Sequence, residues 1–290
     1  MVGSATTIVP AHYLASFLFL GACDVLLIKC GVKAGHWFAL HALGNFYISA
    51  MTLSSLWRVF AEPDHAVYKP IGAPDEDWSN VAMLGAIHVY HMLRYSGLSA
   101  ADWFHHLAFI PFNQLALHWP SLSGAWAAWG FKWGPVVHAQ DFFVCGLPGG
   151  LDYLMLALVK EGRMAKTQHK HYQAKVNVWM RAPGIIATCA IHLFGLMRVW
   201  SAPGTPASAK VIGVLDVVLI GWNGLYYMER VVAATSKHMA LSRDPTTGKE
   251  PAIEPICGAS GTVVSVSRTN IFAPMQVDDG ASSNASKKER

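Results

Sequence analysis

Charged residues are scarce in this chain. Asp, Glu, Lys and Arg make up 14% of its 290 residues, whereas a soluble globular domain carries about 25%. So little charge argues against a soluble enzyme, a disordered scaffold and a nucleic-acid-binding protein, and we expect no nucleic-acid partner. The five cysteines show no Cys-x-x-Cys spacing, which argues against a zinc site or a disulfide framework. No internal repeat is present, which excludes a solenoid.

Hydrophobic residues, in contrast, make up 53% of the chain, and the mean hydropathy is +0.31. A spanning helix needs about 20 largely apolar residues. The sequence therefore predicts an all-α, polytopic transmembrane helical bundle with about seven spans. These are 10–29, 37–60, 80–97, 102–119, 136–159, 182–200 and 210–234. The Trp- and Gly-rich segment 120–135 is predicted to be an interfacial or re-entrant loop, or alternatively a helix extension.

The loop charges predict an orientation. The predicted loop 160–181 carries six Lys and Arg against the single acidic residue Glu161, and basic loops face the cytoplasm. Alternation then makes the acidic loop 61–79 lumenal, the N-terminus lumenal and the C-terminus cytosolic.

Three regions follow from these assignments: the N-terminus and first transmembrane helix (1–35), the transmembrane domain (36–235) and a C-terminal tail (236–290). The tail is rich in Ser, Thr, Pro, Gly and charge, which predicts disorder. Its Lys287 and Lys288 resemble a retrieval signal for the endoplasmic reticulum, although a generic basic terminus is the alternative. We therefore expect an integral protein of that membrane.

Ionisable side chains inside spans are costly and usually face a bundle interior or a cavity. His91 lies in the third span, His105 and His106 lie in the fourth, and Asp152 lies in the fifth. At a rise of about 1.5 Å per residue, they fall into one layer in the cytosolic half of the bilayer, as does Asp24 in the first span. We predict a catalytic role for four residues: His91, His105, His106 and Asp152.

The alternative is a structural role for these residues, in which they form interhelical hydrogen bonds that stabilise the membrane bundle. His88 shares a helix face with His91 because the two are three residues apart. His138 and Asp141, one turn apart, are expected to hydrogen-bond near the lumenal end of the fifth span.

Two proline-containing segments carry structural predictions. We expect a kink or break in the fifth span at Pro148-Gly149-Gly150. Residues 179–184 (WMRAPG) are interpreted as a helix start with an interfacial Trp179 and Arg181.

Two motifs resemble the TLC-domain family of multi-pass membrane proteins, which includes the ceramide synthases. They are ADWFHHL at 101–107 and WNGLYY at 222–227, and the order of spans also fits over about 36–235. Fragments 147–160 and 177–184 look like a block found in TLC-like proteins of protists and algae. The resemblance implies the fold, a link to lipids, and catalysis by His105 and His106. It departs from the ceramide synthases after the histidine pair, where the nearest counterpart of their second block is HAQD at 138–141.

The function predicted on these grounds is lipid modification by an acyl-CoA-dependent N-acyltransferase of ceramide synthase type. Acyl-CoA would be a co-substrate, and no cofactor or metal is firmly implied. The alternative is a non-enzymatic lipid-binding, lipid-transport or membrane-organising protein. Membrane lipids are partners in both cases. A di-iron enzyme would need more histidine boxes than the chain offers, and a retinal protein would need a lysine inside the last span, where Lys210 lies only at the edge.

Overall fold

The computed structural model describes residues 5–68, 78–95, 133–202 and 205–242, together with Trp103 and His106. Over these ranges the chain is helical, as predicted. The helices are α1 (Ala5–Lys29), α2 (His36–Ala61), α3 (Ser79–Arg94), α4 (Val136–Asp141), α5 (Leu147–Lys160), α6 (Lys166–Val176), α7 (Ala182–Val199) and α8 (Ala207–Leu241). Most of the predicted span 102–119, most of the segment 120–135, and the tail beyond residue 242 lie outside the described residues.

Four of the described helical stretches are long and apolar enough to cross a membrane. They are Ala11–Lys29, Val136–Lys160, Lys166–Val199 and Ala207–Leu241. α2 and α3 occupy the second and third predicted spans. α2 has 26 residues but carries many polar side chains, and α3 has 16 residues, fewer than the roughly 20 that a bilayer requires.

Two π turns interrupt two of the four membrane-length helical stretches. Phe142–Gly146 joins α4 to α5, and Asn177–Arg181 joins α6 to α7. Each turn ends shortly before a proline, Pro148 or Pro183. A proline lacks the N–H and its ring clashes with the carbonyl four residues earlier, and a locally wider turn relieves this clash. The kink or break predicted at Pro148-Gly149-Gly150 is not found there, because these residues lie within the first turn of α5. The irregularity is the π turn just before them.

The prediction of a loop over 160–181 was wrong. The helix resumes at Lys166 and runs through the second π turn into α7, so only 161–165 connects α5 to α6. α6 is polar, which hid it from a search for apolar spans, but its Lys, Gln and Ala residues are good helix formers.

The core lies among α1, α2, α3 and the α4–α5 stretch. One cluster of buried apolar side chains joins α1, α2 and α3 and includes Leu20, Leu40, Ile48, Met83 and Ile87. Many large apolar side chains point outward instead, such as Leu18, Trp57, Phe194 and Trp222. Such an apolar exterior suits contact with lipid, because lipid tails are as apolar as these side chains and their exposure to lipid costs no hydrophobic free energy.

The start of α2 presses against the backbone of α5. A Cβ added at Gly35 would lie 2.6 Å from the carbonyl oxygen of Ala157, so Gly35→Ala requires a backbone shift. We expect it to destabilise the protein by about 1 to 3 kcal/mol. Gly21 in α1 is the control, because its Cβ would meet nothing within 4 Å, and Gly21→Ala is expected to be neutral or to stabilise by up to about 1 kcal/mol. Equal thermal-unfolding midpoints for the two variants in detergent would contradict the contact.

Glu161 caps the same end of α2. Its Oε1 accepts the backbone N–H groups of Lys33 (2.9 Å) and Gly35 (2.7 Å), and a carboxylate is also favoured by the helix dipole at this position. The hydrogen bond from the Gly35 amide is the main reason why the pKa of Glu161 lies below its ordinary value of 4.5. A lowered pKa means that the cap stabilises the fold above pH 4.5 and is lost as the pH falls through the lowered pKa.

We therefore expect Glu161→Gln to reduce stability at pH 7 by up to about 1 kcal/mol. The difference from the wild type should vanish in acid, where the wild-type carboxyl is protonated. Glu229→Gln, at an exposed position on α8, is the matched control and should change little. Thermal unfolding across a pH series measures both variants, and a difference that persists in acid would argue against the charged cap.

Candidate functional site

Four histidine rings lie close together: one from α2, two from α3, and that of His106. The ring of His91 lies 5.2 Å from that of His41 and 4.6 Å from that of His106, and the rings of His88 and His106 are 4.9 Å apart. All four side chains are buried. We call these residues (His41, His88, His91 and His106) the histidine cluster. Two of the predicted catalytic residues, His91 and His106, are thus brought together.

Aromatic side chains line this cluster. Trp37 stacks on His41 with ring centroids 4.9 Å apart and meets His91 edge-on. Tyr153, from α5, lies 5.0 Å from His41. The cluster is therefore bounded by faces that could pack against an apolar ligand.

Hydrogen bonds fix the tautomers of two members. Nδ1 of His41 donates to the carbonyl of Trp37 (3.0 Å), and Nδ1 of His88 donates to the carbonyl of Leu84 (2.7 Å). Because a carbonyl can only accept, Nδ1 carries the hydrogen, and the neutral ring keeps its lone pair on Nε2. A lone pair held in this way is what a general base requires.

Asp152 belongs to a different network. Its Oδ1 accepts from His169 Nε2 (2.9 Å), and its Oδ2 accepts from Gln173 Nε2 (3.0 Å) and the Tyr227 hydroxyl (3.1 Å). These donors come from α6 and α8, so the carboxylate joins three helices. The structure does not place Asp152 with His91 and His106, although the neighbouring Tyr153 contacts the cluster.

Arg181 lies beside the Asp152 network. Its Nη1 donates to Asn177 Oδ1 (3.0 Å), and its guanidinium lies 4.6 Å from the centre of the Tyr227 ring. The side chain is only 7% exposed, whereas Trp179 is 80% exposed. The interfacial interpretation thus fits Trp179, while Arg181 is part of the interior.

Asp24 anchors a third network, which adjoins the histidine cluster. It accepts from Arg94 Nε (3.1 Å) and pairs with His36 Nε2 (3.0 Å). His36 Nε2 donates to the backbone carbonyl of Asp24 (3.5 Å), so in the neutral ring Nδ1 accepts the Tyr95 hydroxyl (3.0 Å). Tyr95 in turn touches the His91 ring, which makes the two networks continuous.

Asn80 connects the predicted pair near the other end of the bundle. Its Nδ2 donates to Asp141 (2.8 Å), and its Oδ1 accepts from His138 Nδ1 (2.8 Å). The expected contact of His138 with Asp141 is therefore bridged by an amide. Close by in the fold, His192 Nδ1 pairs with Asp216 at 3.2 Å, and such buried bonds stabilise helix packing.

The sequence prediction missed His41, which contributes a ring to the centre of the cluster. A signal was present, because His41 continues a polar series with Asn45, Ser49 and Thr52 at helical spacing. That series marks the inward face of α2. His105 lies outside the described residues.

Within the described ranges, no three His, Cys, Asp or Glu side chains are arranged so that they could hold a metal ion. The chain matches no known protein family, no curated protein and no solved structure.

Proposed function

We propose that this protein acts in lipid metabolism as an acyl-CoA-dependent N-acyltransferase on a sphingoid-like amine, with the histidine cluster as its acid–base centre. The observation that carries the proposal is the burial of four imidazole rings among aromatic side chains in a membrane-type helical fold. Polar residues inside membrane spans usually mark function. The resemblance of ADWFHHL to the TLC-domain family supports the same chemistry and adds His105 beside His106.

The reaction uses the lone pairs described above. The substrate amine attacks the thioester carbonyl, and an imidazole Nε2 takes a proton from the amine nitrogen. The C–N bond forms, the C–S bond breaks, and the imidazolium returns its proton to the CoA thiolate. General-base assistance of this kind contributes about 10² to 10⁴-fold to a rate.

The proposed topology has about seven spans, with a lumenal N-terminus and a cytosolic C-terminus in the endoplasmic reticulum. The histidine cluster supports it by position. His41 lies near the start of α2 and His91 near the end of α3. The basic residues of 160–175 follow the end of α5, at the same end of the bundle. This end is cytosolic by the positive-inside rule, and it is the side from which a water-soluble acyl-CoA arrives.

The second candidate is a non-enzymatic protein that binds, moves or organises lipids. The observation that favours it is the use of buried polar groups as interhelical bonds elsewhere in the bundle, at Asp152 and at Asn80. In that case the histidine cluster also serves packing.

The two candidates are separated by an assay of purified protein in liposomes with acyl-CoA and a panel of long-chain amines. The proposal expects an amide product by mass spectrometry and a matching deficit in the lipid profile of cells that lack the gene. Stabilisation by lipids with no product from any amine would overturn the enzyme and support the second candidate.

A further inference from the structure

Two helical stretches extend well beyond the thickness of a membrane. Lys166–Val199 has 34 residues and Ala207–Leu241 has 35, so each is about 50 Å long at about 1.5 Å per residue. The hydrocarbon core is about 30 Å thick. A short connection after α7 keeps their other ends together, so we place the excess of both helices at the end that contains the start of α6 and the last turns of α8.

The start of α6 and the last turns of α8 pack together at this end. Thr235 Oγ1 donates to the backbone carbonyl of Lys170 (3.2 Å), and Thr167 Oγ1 lies 3.2 Å from His238 Nε2. These contacts bring the α6 face of Lys166, Thr167 and Lys170 against His238. We call these four residues the basic corner.

The cationic groups of the basic corner repel one another. Lys166 and Lys170 are one turn apart on one helix face, and both act electrostatically on the His238 ring, as does His169. Like charges at this spacing are destabilising, and an anion bound between them would offset that repulsion.

The acidic groups that the structure describes nearby are already engaged. The charge of Asp152 attracts Lys170 electrostatically, but the carboxylate oxygens already accept hydrogen bonds from His169, Gln173 and Tyr227. Glu161 accepts backbone amides at the start of α2. Neither carboxylate has its oxygens free to bind both lysines. Lys170 Nζ donates one hydrogen bond to Gln173 Oε1 (2.9 Å), and an ammonium carries three N–H donors. The corner therefore offers two ammonium groups, a hydroxyl and an imidazole to an external anion.

We propose that the basic corner binds the phosphate of an anionic membrane phospholipid headgroup. Lys166 and Lys170 supply charge, and Thr167 and His238 supply directed hydrogen bonds. The position favours a lipid over a soluble phosphate, because the corner lies where two helices leave the hydrocarbon and basic residues attract anionic headgroups. The site does not depend on the histidine cluster and goes beyond the proposed acyl transfer.

The test uses the full chain in phosphatidylcholine nanodiscs. Binding of a short-chain phosphatidylinositol phosphate is measured by titration, with inorganic phosphate and coenzyme A in parallel arms. Lys166→Gln/Lys170→Gln is compared with Arg198→Gln/Lys210→Gln, which removes the same charge at the opposite ends of α7 and α8. We expect the corner pair to weaken lipid binding about 10- to 30-fold and the control pair to change it less than about twofold.

Thr167→Val keeps the charge of the basic corner and removes the hydroxyl that would bond the phosphate. We expect it to weaken lipid binding, but less than the double lysine variant does. Thermal midpoints close to the wild-type value confirm folding for each variant, and Thr167→Val alone decides if the double variant does not fold. Equal weakening by both double variants would show a diffuse charge effect and overturn the site. Binding of coenzyme A or phosphate without binding of the lipid would overturn the choice of ligand.

Discussion

Replacement of His91 or His106 by alanine is expected to reduce the proposed amide formation by at least about 100-fold, because each substitution removes an imidazole from the proposed acid–base centre. His91 lies between His41 and His106, and His106 touches both His88 and His91. Loss of either ring therefore also disturbs the partners that remain. Single-turnover amide formation by purified variants, at saturating acyl-CoA, measures the effect.

Two controls separate chemistry from folding. His171→Ala removes an imidazole on α6 whose ring packs on Tyr172, outside the cluster, and it should leave the rate unchanged. His106→Gln keeps a polar side chain of similar size and should retain the thermal midpoint while losing the rate. Turnover that survives in a folded His106→Gln variant would assign the ring a packing role.

Replacement of Asp152 by alanine is expected to cause the largest loss of stability, about 3 to 5 kcal/mol. The carboxylate is 4% exposed and accepts three hydrogen bonds from α6 and α8. Its removal leaves buried donors unsatisfied and Arg181 without its nearby negative charge. The denaturation midpoint in detergent measures the loss.

Graded variants make the Asp152 prediction specific. Asp152→Asn retains an acceptor oxygen and should lose less stability than Asp152→Ala. Asp64→Ala removes an exposed carboxylate that pairs with Arg198 at the surface, and it should cost less than about 1 kcal/mol. A double-mutant cycle with Tyr227→Phe should show coupling. Additive losses, or an Asp152→Ala variant as stable as Asp64→Ala, would contradict the role of Asp152 in joining these helices.

The sequence could predict the depth of the site residues along their helices. The histidines of the third span and the pair at 105–106 were assigned to one depth, and the structure brings His91 and His106 into contact. Helix bounds also agree closely, as for α2, which runs from His36 to Ala61 against a predicted 37–60. The depth of a residue and the bounds of its helix both follow from the length of the apolar run, and the thickness of the bilayer sets that length.

Rotation about the helix axis was harder to predict. Each π turn inserts about one extra residue, which rotates everything after it by about 100°. Asp152 follows the first turn and Arg181 ends the second, so depth alone could not assign their partners. The partners of Asp152 were also hidden, because His169 and Gln173 lie in α6, a helix too polar to be recognised as part of a membrane stretch.

Photo-crosslinking tests most directly whether the histidine cluster binds the lipid substrate, as proposed. A long-chain amine with a diazirine near its polar end would be irradiated with the protein in nanodiscs, and labelled residues mapped by mass spectrometry. We expect labels at Trp37 and Tyr153, which border the cluster, and suppression of these labels by excess unlabelled amine. Labels confined to outward-facing residues such as Leu18 and Trp222, without competition, would contradict the account.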